Sequence, residues 1–182
     1  MTDLVTLFPR QTVPPLAVDL ADGGSFDLTK EKPTNFTLVV FYRGLHCPIC
    51  KGQLKELDSR LDEFAKRGVA VVAVSSDSRE RAMTAKEAWG LTRLRVGYGL
   101  DLASARLWGL FVSTGRGTTS AGAEEPARFS EPALYLIRPD GSLYFGAAQT
   151  MPFARPHFAD IVAAIDFVLK TNYPARGEVT KL

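Results

Sequence analysis

The chain has two cysteines, and they stand three positions apart as Cys47-Pro48-Ile49-Cys50. Random placement would give that spacing about once in a hundred chains, so the pair reads as a dithiol. A thiolate attacks sulfur or oxygen electrophiles where a thiol does not, so the chemistry turns on what lowers one pKa. Pro48 suits the first turn of a helix, where its missing N–H leaves nothing unpaired. Cys47, immediately before it, is expected at the positive end of the helix dipole among free backbone N–H groups. Arg43 and His46 are close in sequence and are expected to add positive charge. Cys50 begins an apolar stripe that continues through Leu54, Leu57, Leu61 and Phe64, so it is expected to face the core. The pattern predicts a division of labour, with Cys47 the exposed attacking thiolate and Cys50 the shielded thiol that resolves the mixed disulfide. Zinc is the competing use of these side chains. Cys47, Cys50, His46 and His157 are suitable ligand types, but a second Cys-x-x-Cys or a His pair at finger spacing is lacking. No metal or other cofactor is expected, and a non-catalytic zinc-binding or redox-sensing module stands as the alternative from another class.

The elements that must hold the pair can be read around it. Phe36 to Tyr42 is continuously apolar, the pattern of a strand buried on both faces, and Val69 to Val74 repeats it. Between them the stripe predicts one amphipathic helix ending at Lys66-Arg67-Gly68. Upstream, Val13 to Asp19 and Ser25 to Leu28 flank the turn Ala21-Asp22-Gly23-Gly24, giving an N-terminal β-hairpin. Downstream, Asp77 and Glu80 resemble a capping signal for a helix over Arg79 to Trp89. Leu94 to Tyr98 is expected as a short strand and Leu102 to Trp108 as a short helix. Ala133 to Ile137 and Leu143 to Phe145 form a hairpin around Pro139-Asp140-Gly141, and Phe158 to Leu169 carries a last amphipathic helix. Trp89 and Trp108 are assigned to the core. Residues 1–12 read as an extension, 13–170 as one domain with a flexible, structureless insertion at 113–131, and 171–182 as a loose tail.

A chain of 182 residues with 46% hydrophobic and 23% charged residues folds as a globular domain without needing a disulfide or metal staple. The net charge is only +2 and the basic residues are scattered, which argues against a nucleic-acid partner. The longest apolar run, Thr37 to Tyr42, is far short of the ~20 residues that cross a membrane, and Met1 to Gln11 lacks the pattern of a secretory leader. A cytoplasmic, reducing setting is expected, in which a lone Cys-x-x-Cys points to redox chemistry.

The segment Phe41-Tyr42-Arg43-Gly44-Leu45-His46-Cys47-Pro48-Ile49-Cys50 resembles the active-site stretch of the peroxiredoxin-like branch of the AhpC/TSA family. Val74-Ser75-Ser76-Asp77-Ser78, Trp108-Gly109-Leu110 and Leu134-Tyr135-Leu136-Ile137-Arg138-Pro139-Asp140-Gly141 extend the similarity over roughly Val13 to Leu169. The resemblance implies an α/β thioredoxin-like fold, a central mixed sheet flanked by helices. It also implies an external thiol reductant, a hydroperoxide or a protein or small-molecule disulfide as substrate, and by analogy a homodimer. The departures are informative. The family pattern Phe-Tyr-Pro-x-x-x-Thr-x-x-Cys puts its peroxidatic cysteine on Cys50, its threonine on Cys47, its proline on Arg43 and its later arginine on Pro132. Thioredoxins instead pair a Cys-x-x-Cys with a cis-proline before a late strand, a position that Pro132 matches, and bury an acid that Phe36 to Tyr42 lacks. With the family's threonine and arginine replaced, the chemistry of the site favours disulfide exchange over peroxide reduction, with Cys47 attacking, Cys50 resolving and a cis Glu131–Pro132 bond shaping a substrate groove. The rival is hydroperoxide reduction with Cys50 peroxidatic and Cys47 resolving, which needs a cation at the site from Arg43 or Arg128.

Overall fold

The computed structural model describes residues 6–181. Residues 1–5 of the expected extension and Leu182 lie outside the described residues. Strands β1 (Ala17–Leu20), β2 (Ser25–Asp27), β3 (Phe36–Phe41), β4 (Val69–Val74), β5 (Val96–Tyr98), β8 (Ala133–Ile137) and β9 (Leu143–Ala148) form one mixed sheet in the order β2-β1-β5-β4-β3-β8-β9. β3 and β4 pair in parallel from Phe36↔Val69 to Phe41↔Val74, and β8 pairs antiparallel on the other side of β3. This is the thioredoxin-like α/β architecture.

The period-two alternation of side chains divides the central strands between two cores. Phe36, Leu38, Val40 and Tyr42 face one cluster, together with Leu54, Leu57, Phe64 and Ile161 from helices α1 (Pro48–Ser59), α2 (Leu61–Lys66) and α5 (Phe158–Thr171). Val39 and Phe41 face the other, with Trp108 and with Ala105 from α4 (Leu102–Leu107). Helix α3 (Arg79–Ala88) adds Ala82 and Ala85 to the first cluster. Both tryptophans are buried, as expected.

Several expectations are corrected. The first strand starts at Ala17 rather than Val13, because Pro14 and Pro15 cannot donate to a ladder. The single helix breaks at Arg60, whose guanidinium pairs with Glu56 on one side and Glu63 on the other. Gly68 ends the second piece at φ +66°, and its N–H bonds the Ala65 carbonyl. The α3 cap is Ser78, not Asp77. Residues 113–131 are not structureless. Strands β6 (Val112–Thr114) and β7 (Arg128–Ser130) pair antiparallel, and the ribbon continues to a tip where Thr119 N bonds Ala123 O at 3.0 Å. The C-terminal tail packs back, with Ala175 buried and its carbonyl accepting two hydrogen bonds from Arg10.

Candidate active site

Cys47 occupies the N-cap of α1, and Pro48 takes the first helical position as expected. The Cys47 Sγ accepts the N–H of Cys50 at 3.2 Å, the bond that a serine or aspartate oxygen makes at other helix starts. Beneath the pair, Cys50 sits on the stripe with Leu54 and Leu57, all fully buried. Both cysteines are free thiols.

The expectation of an exposed Cys47 is overturned: its residue exposure is 1%, against 0% for Cys50. A cover that comes from distant sequence accounts for the burial. Arg155, in the connection between β9 and α5, extends Nη2 to Cys50 Sγ at 3.3 Å and to Cys47 Sγ at 3.6 Å. Its Nε donates to Pro152 O at 2.7 Å and its Nη1 to Gln53 Oε1, so the fork is held in a fixed direction.

These contacts separate the two thiols. The hydrogen bond from the Cys50 thiol, the backbone N–H and the positive charge of Arg155 outweigh burial and hold Cys47 down at about 6, from an ordinary 9.0. Burial, and then the proximity of Cys47, push Cys50 well up. The two directions are opposite, with ionisation favoured at Cys47 and disfavoured at Cys50.

Of the two cations expected beside Cys47, Arg43 contributes weakly and His46 does not. Arg43 Nη2 meets Glu125 Oε1, and its Nε meets Glu131 Oε2, each at 3.2 Å, while the guanidinium lies 4.6 Å from the Phe129 ring centre. Its ion-pair partners are carboxylates, and it reaches Cys47 only as the weakest of the favourable influences. His46 is fully buried against Phe129, with ring centres 4.5 Å apart. Burial, then Arg43, lower its pKa to about 4, so it is neutral at pH 7 and supplies no cation. Arg81 Nη2 lies 3.4 Å from His46 Nδ1, and an arginine only donates, so Nε2 carries the ring proton.

The loop between β3 and α1 is braced from below by Asp77. Its Oδ2 accepts the Leu45 N–H at 2.7 Å and its Oδ1 accepts from Arg81 Nε at 2.8 Å. Gly44 is required here: it adopts φ +133°, and a Cβ would lie 2.7 Å from the Asp77 carboxylate.

Pro132 also departs from expectation. No peptide bond among the described residues is cis, and the Pro132 carbonyl accepts the Gln149 N–H at 2.9 Å. The Glu131 N–H is bound by Phe111 O at 2.7 Å and its Oε1 by the Ser113 hydroxyl, so an extended trans chain runs from β7 into β8. Pro132 therefore offers no free backbone edge to a substrate. Arg128 is exposed on β7. His157 is exposed at the start of α5, and no group of three or more His, Cys, Asp or Glu converges among the described residues, so the zinc set is not assembled. No helix among them is long and apolar enough to cross a membrane.

Sequence reasoning missed Arg155, Gln53 and Glu125, and the pairing of the Glu131 side chain with Arg43. Arg155 is 108 residues from Cys47, in a connection without periodicity, and the sequence carries no signal for it. Gln53 was within reach, because it stands one turn beyond Cys50 on the same helix.

The chain is similar to known proteins. Two Mycobacterium tuberculosis proteins, provisionally named peroxiredoxins, are 30% identical over 92 residues, which is 50% of this chain. The chain spans 58% of the length of these curated relatives. Among solved structures, the peroxidoxin BcpB of M. tuberculosis superposes with a TM-score of 0.69 at 16% identity, covering 90% of this chain and 99% of that one. The reduced 2-Cys peroxiredoxin of Plasmodium vivax gives 0.72 at 18% identity, covering 91% and 98%. These likenesses are of fold. The family model described as AhpC/TSA matches residues 9–145, three-quarters of the sequence, and the chain belongs to that family.

Proposed function

We propose that the protein is a dithiol oxidoreductase that reduces small hydroperoxides, with Cys47 attacking and Cys50 resolving. One observation carries the reading: a single guanidinium, Arg155, spans both sulfurs inside a closed site. Peroxide reduction needs a low-pKa thiolate and a cation where charge develops on the departing oxygen. Disulfide exchange with a protein needs an open sulfur, and Cys47 is 1% exposed.

In the proposed cycle the Cys47 thiolate attacks the distal oxygen of the hydroperoxide and the O–O bond breaks. The departing alkoxide takes a proton from water, leaving an alcohol and a Cys47 sulfenic acid. The Cys50 thiol then attacks the Cys47 sulfur and water leaves. A Cys47–Cys50 disulfide remains, and an external thiol returns two electrons to regenerate the dithiol. Cys50 is already in hydrogen-bond contact with Cys47, which supports a fast second step.

Stopped-flow mixing with hydrogen peroxide, followed by sulfenic-acid labelling and mass spectrometry, tests the assignment. Cys50→Ser should carry the label on Cys47, and Cys47→Ser should react no faster than free cysteine. A label on Cys50 in Cys47→Ser, formed at the wild-type rate, reverses the roles. Wild-type oxidation at the rate of free cysteine ends the peroxidase reading and leaves exchange on small disulfides as the function of the pair.

A further inference from the structure

The ribbon 112–130 lies against the loop that precedes Cys47, and its mode of attachment is unusual. No residue from 115 to 127 is buried. Apolar burial therefore does not hold this stretch down, and its attachment is polar. Glu125 Oε1 takes Arg43 Nη2 at 3.2 Å, with side-chain exposures of only 7% and 15%. The Thr119 hydroxyl donates to the His46 carbonyl at 2.6 Å. The Glu124 carbonyl accepts Arg81 Nη2 at 3.1 Å. Arg43 and His46 belong to the loop 43–46 itself, and Arg81 is bound to the Asp77 that braces it. The ties thus converge on the loop 43–46 that leads into Cys47, and the base of the ribbon meets the same loop, with Phe129 against His46 and Arg43, and with Glu131 bound by Ser113 and paired with Arg43.

We propose that the ribbon is a size filter for the Cys47 site, latched by Glu125 on Arg43 and by Thr119 on the His46 carbonyl. It is a specificity determinant for the activity proposed above, and it rests on that reading only for the identity of the small substrate. Latched, the loop 43–46 keeps Cys47 closed to all but small electrophiles. Unlatched, the ribbon swings on its base, and the same thiolate takes bulky disulfides. Cys47 then forms a new S–S bond with one sulfur of the disulfide and displaces the other as a thiolate. The Cys50 thiol, losing its proton to water, attacks Cys47 and releases the second thiolate. The substrate gains two electrons and the dithiol closes to Cys47–Cys50. A segment held by a few shielded polar contacts and no buried apolar surface opens far below the cost of global unfolding, which is what a filter requires.

The test compares two probes on the reduced full chain: hydrogen peroxide, and an aromatic bis(nitrobenzoate) disulfide read by its coloured thiolate. Glu125→Ala combined with Thr119→Val should raise the disulfide rate at least tenfold and change the peroxide rate less than threefold. Glu125→Gln, which keeps a neutral acceptor for Arg43, should lie between it and wild type and guards against a fold defect in the double variant. Thermal unfolding of each variant accompanies the rates. Disulfide rates that stay at the wild-type value in folded variants overturn the filter, as do peroxide and disulfide rates that rise together. If the wild-type chain proves unreactive toward peroxide, the proposed function fails. The filter is then judged on the ratio of the disulfide rate to that of iodoacetamide, a small alkylating agent: a tenfold rise supports it and no rise overturns it.

Discussion

The dithiol lies between two regions built on opposite principles. Below it is a floor of β3, α1 and their neighbours, in which all six strand residues Phe36 to Phe41, together with Leu54 and Leu57, are buried. Above it is a cover made of the Arg155 connection and the ribbon, in which guanidinium, carboxylate and hydroxyl groups do the holding. Apolar burial is non-directional and cooperative, so the floor fixes where the cysteines are. Charged hydrogen bonds are directional and can be exchanged one at a time, so the cover fixes what the sulfurs feel and what reaches them. The difference explains how a thiolate can be stable while sealed from bulk water. The floor raises Cys50 by desolvation, and the cover and helix start lower Cys47 by donated hydrogen bonds and positive charge.

Breaking the floor should have the largest effect. Leu54→Ala leaves a cavity in a fully buried stripe and should cost about 2–5 kcal/mol in denaturant unfolding. A loss of less than about 1 kcal/mol would mean that the stripe can collapse and that the floor is not the rigid element. His46, at the seam between floor and cover, comes next. In the folded chain it takes a proton only near pH 4, but in the unfolded chain near its ordinary 6.5. The unfolded state therefore binds more protons between those values. Stability is complete above pH 6.5 and falls as the pH drops toward 4, by about 3 kcal/mol in all. His46→Gln removes the titration, so its urea midpoint should be flatter over that window than that of wild type. An equally steep decline in His46→Gln would assign the effect to other groups.

The floor was legible in the sequence and the cover was not, for a physical reason. Phe36 to Tyr42, Val69 to Val74 and Ala133 to Ile137 announce burial through unbroken apolar runs, and Cys50, Leu54 and Leu57 announce a helix face through their spacing. Those signals are local. Arg155 meets sulfurs across more than a hundred residues, and the chain between them carries no pattern that pairs a guanidinium with a thiol. The Gly- and Thr-rich stretch 113–126 reads as loop, because a ribbon held by Arg43 and by the His46 carbonyl has no apolar periodicity to show. Pro132 misled for a related reason. Its position matches a cis-proline site, but the bond is trans, and its backbone neighbours are Phe111 and Gln149, both remote in sequence.

The smaller effects sharpen the contrast within the cover. Arg155→Ala should slow peroxide oxidation about a hundredfold by removing the cation at the departing oxygen. It should also raise the inflection of thiolate formation above pH 6, although less than Cys50→Ala does, because the Cys50 thiol makes the strongest contribution. An unchanged rate with a shifted inflection would confine Arg155 to tuning the thiolate.

Thr119→Val should have the smallest effect. The hydroxyl's bond to the His46 carbonyl is lost, worth about 0.5–1.5 kcal/mol, together with its longer contacts to Ala123 O and the Ala121 N–H inside the tip. If the ribbon opens on its own, native-state amide exchange at Glu125 and Gly122, whose N–H groups bond within the ribbon, accelerates by about threefold to tenfold. The amides of β3 and β4, paired over six residues each, keep their wild-type rates, because their opening is global. Equal acceleration in both sets would mean that the ribbon opens only when the floor does. The two regions would then be one cooperative unit, and a polar latch could not select substrates independently of the fold.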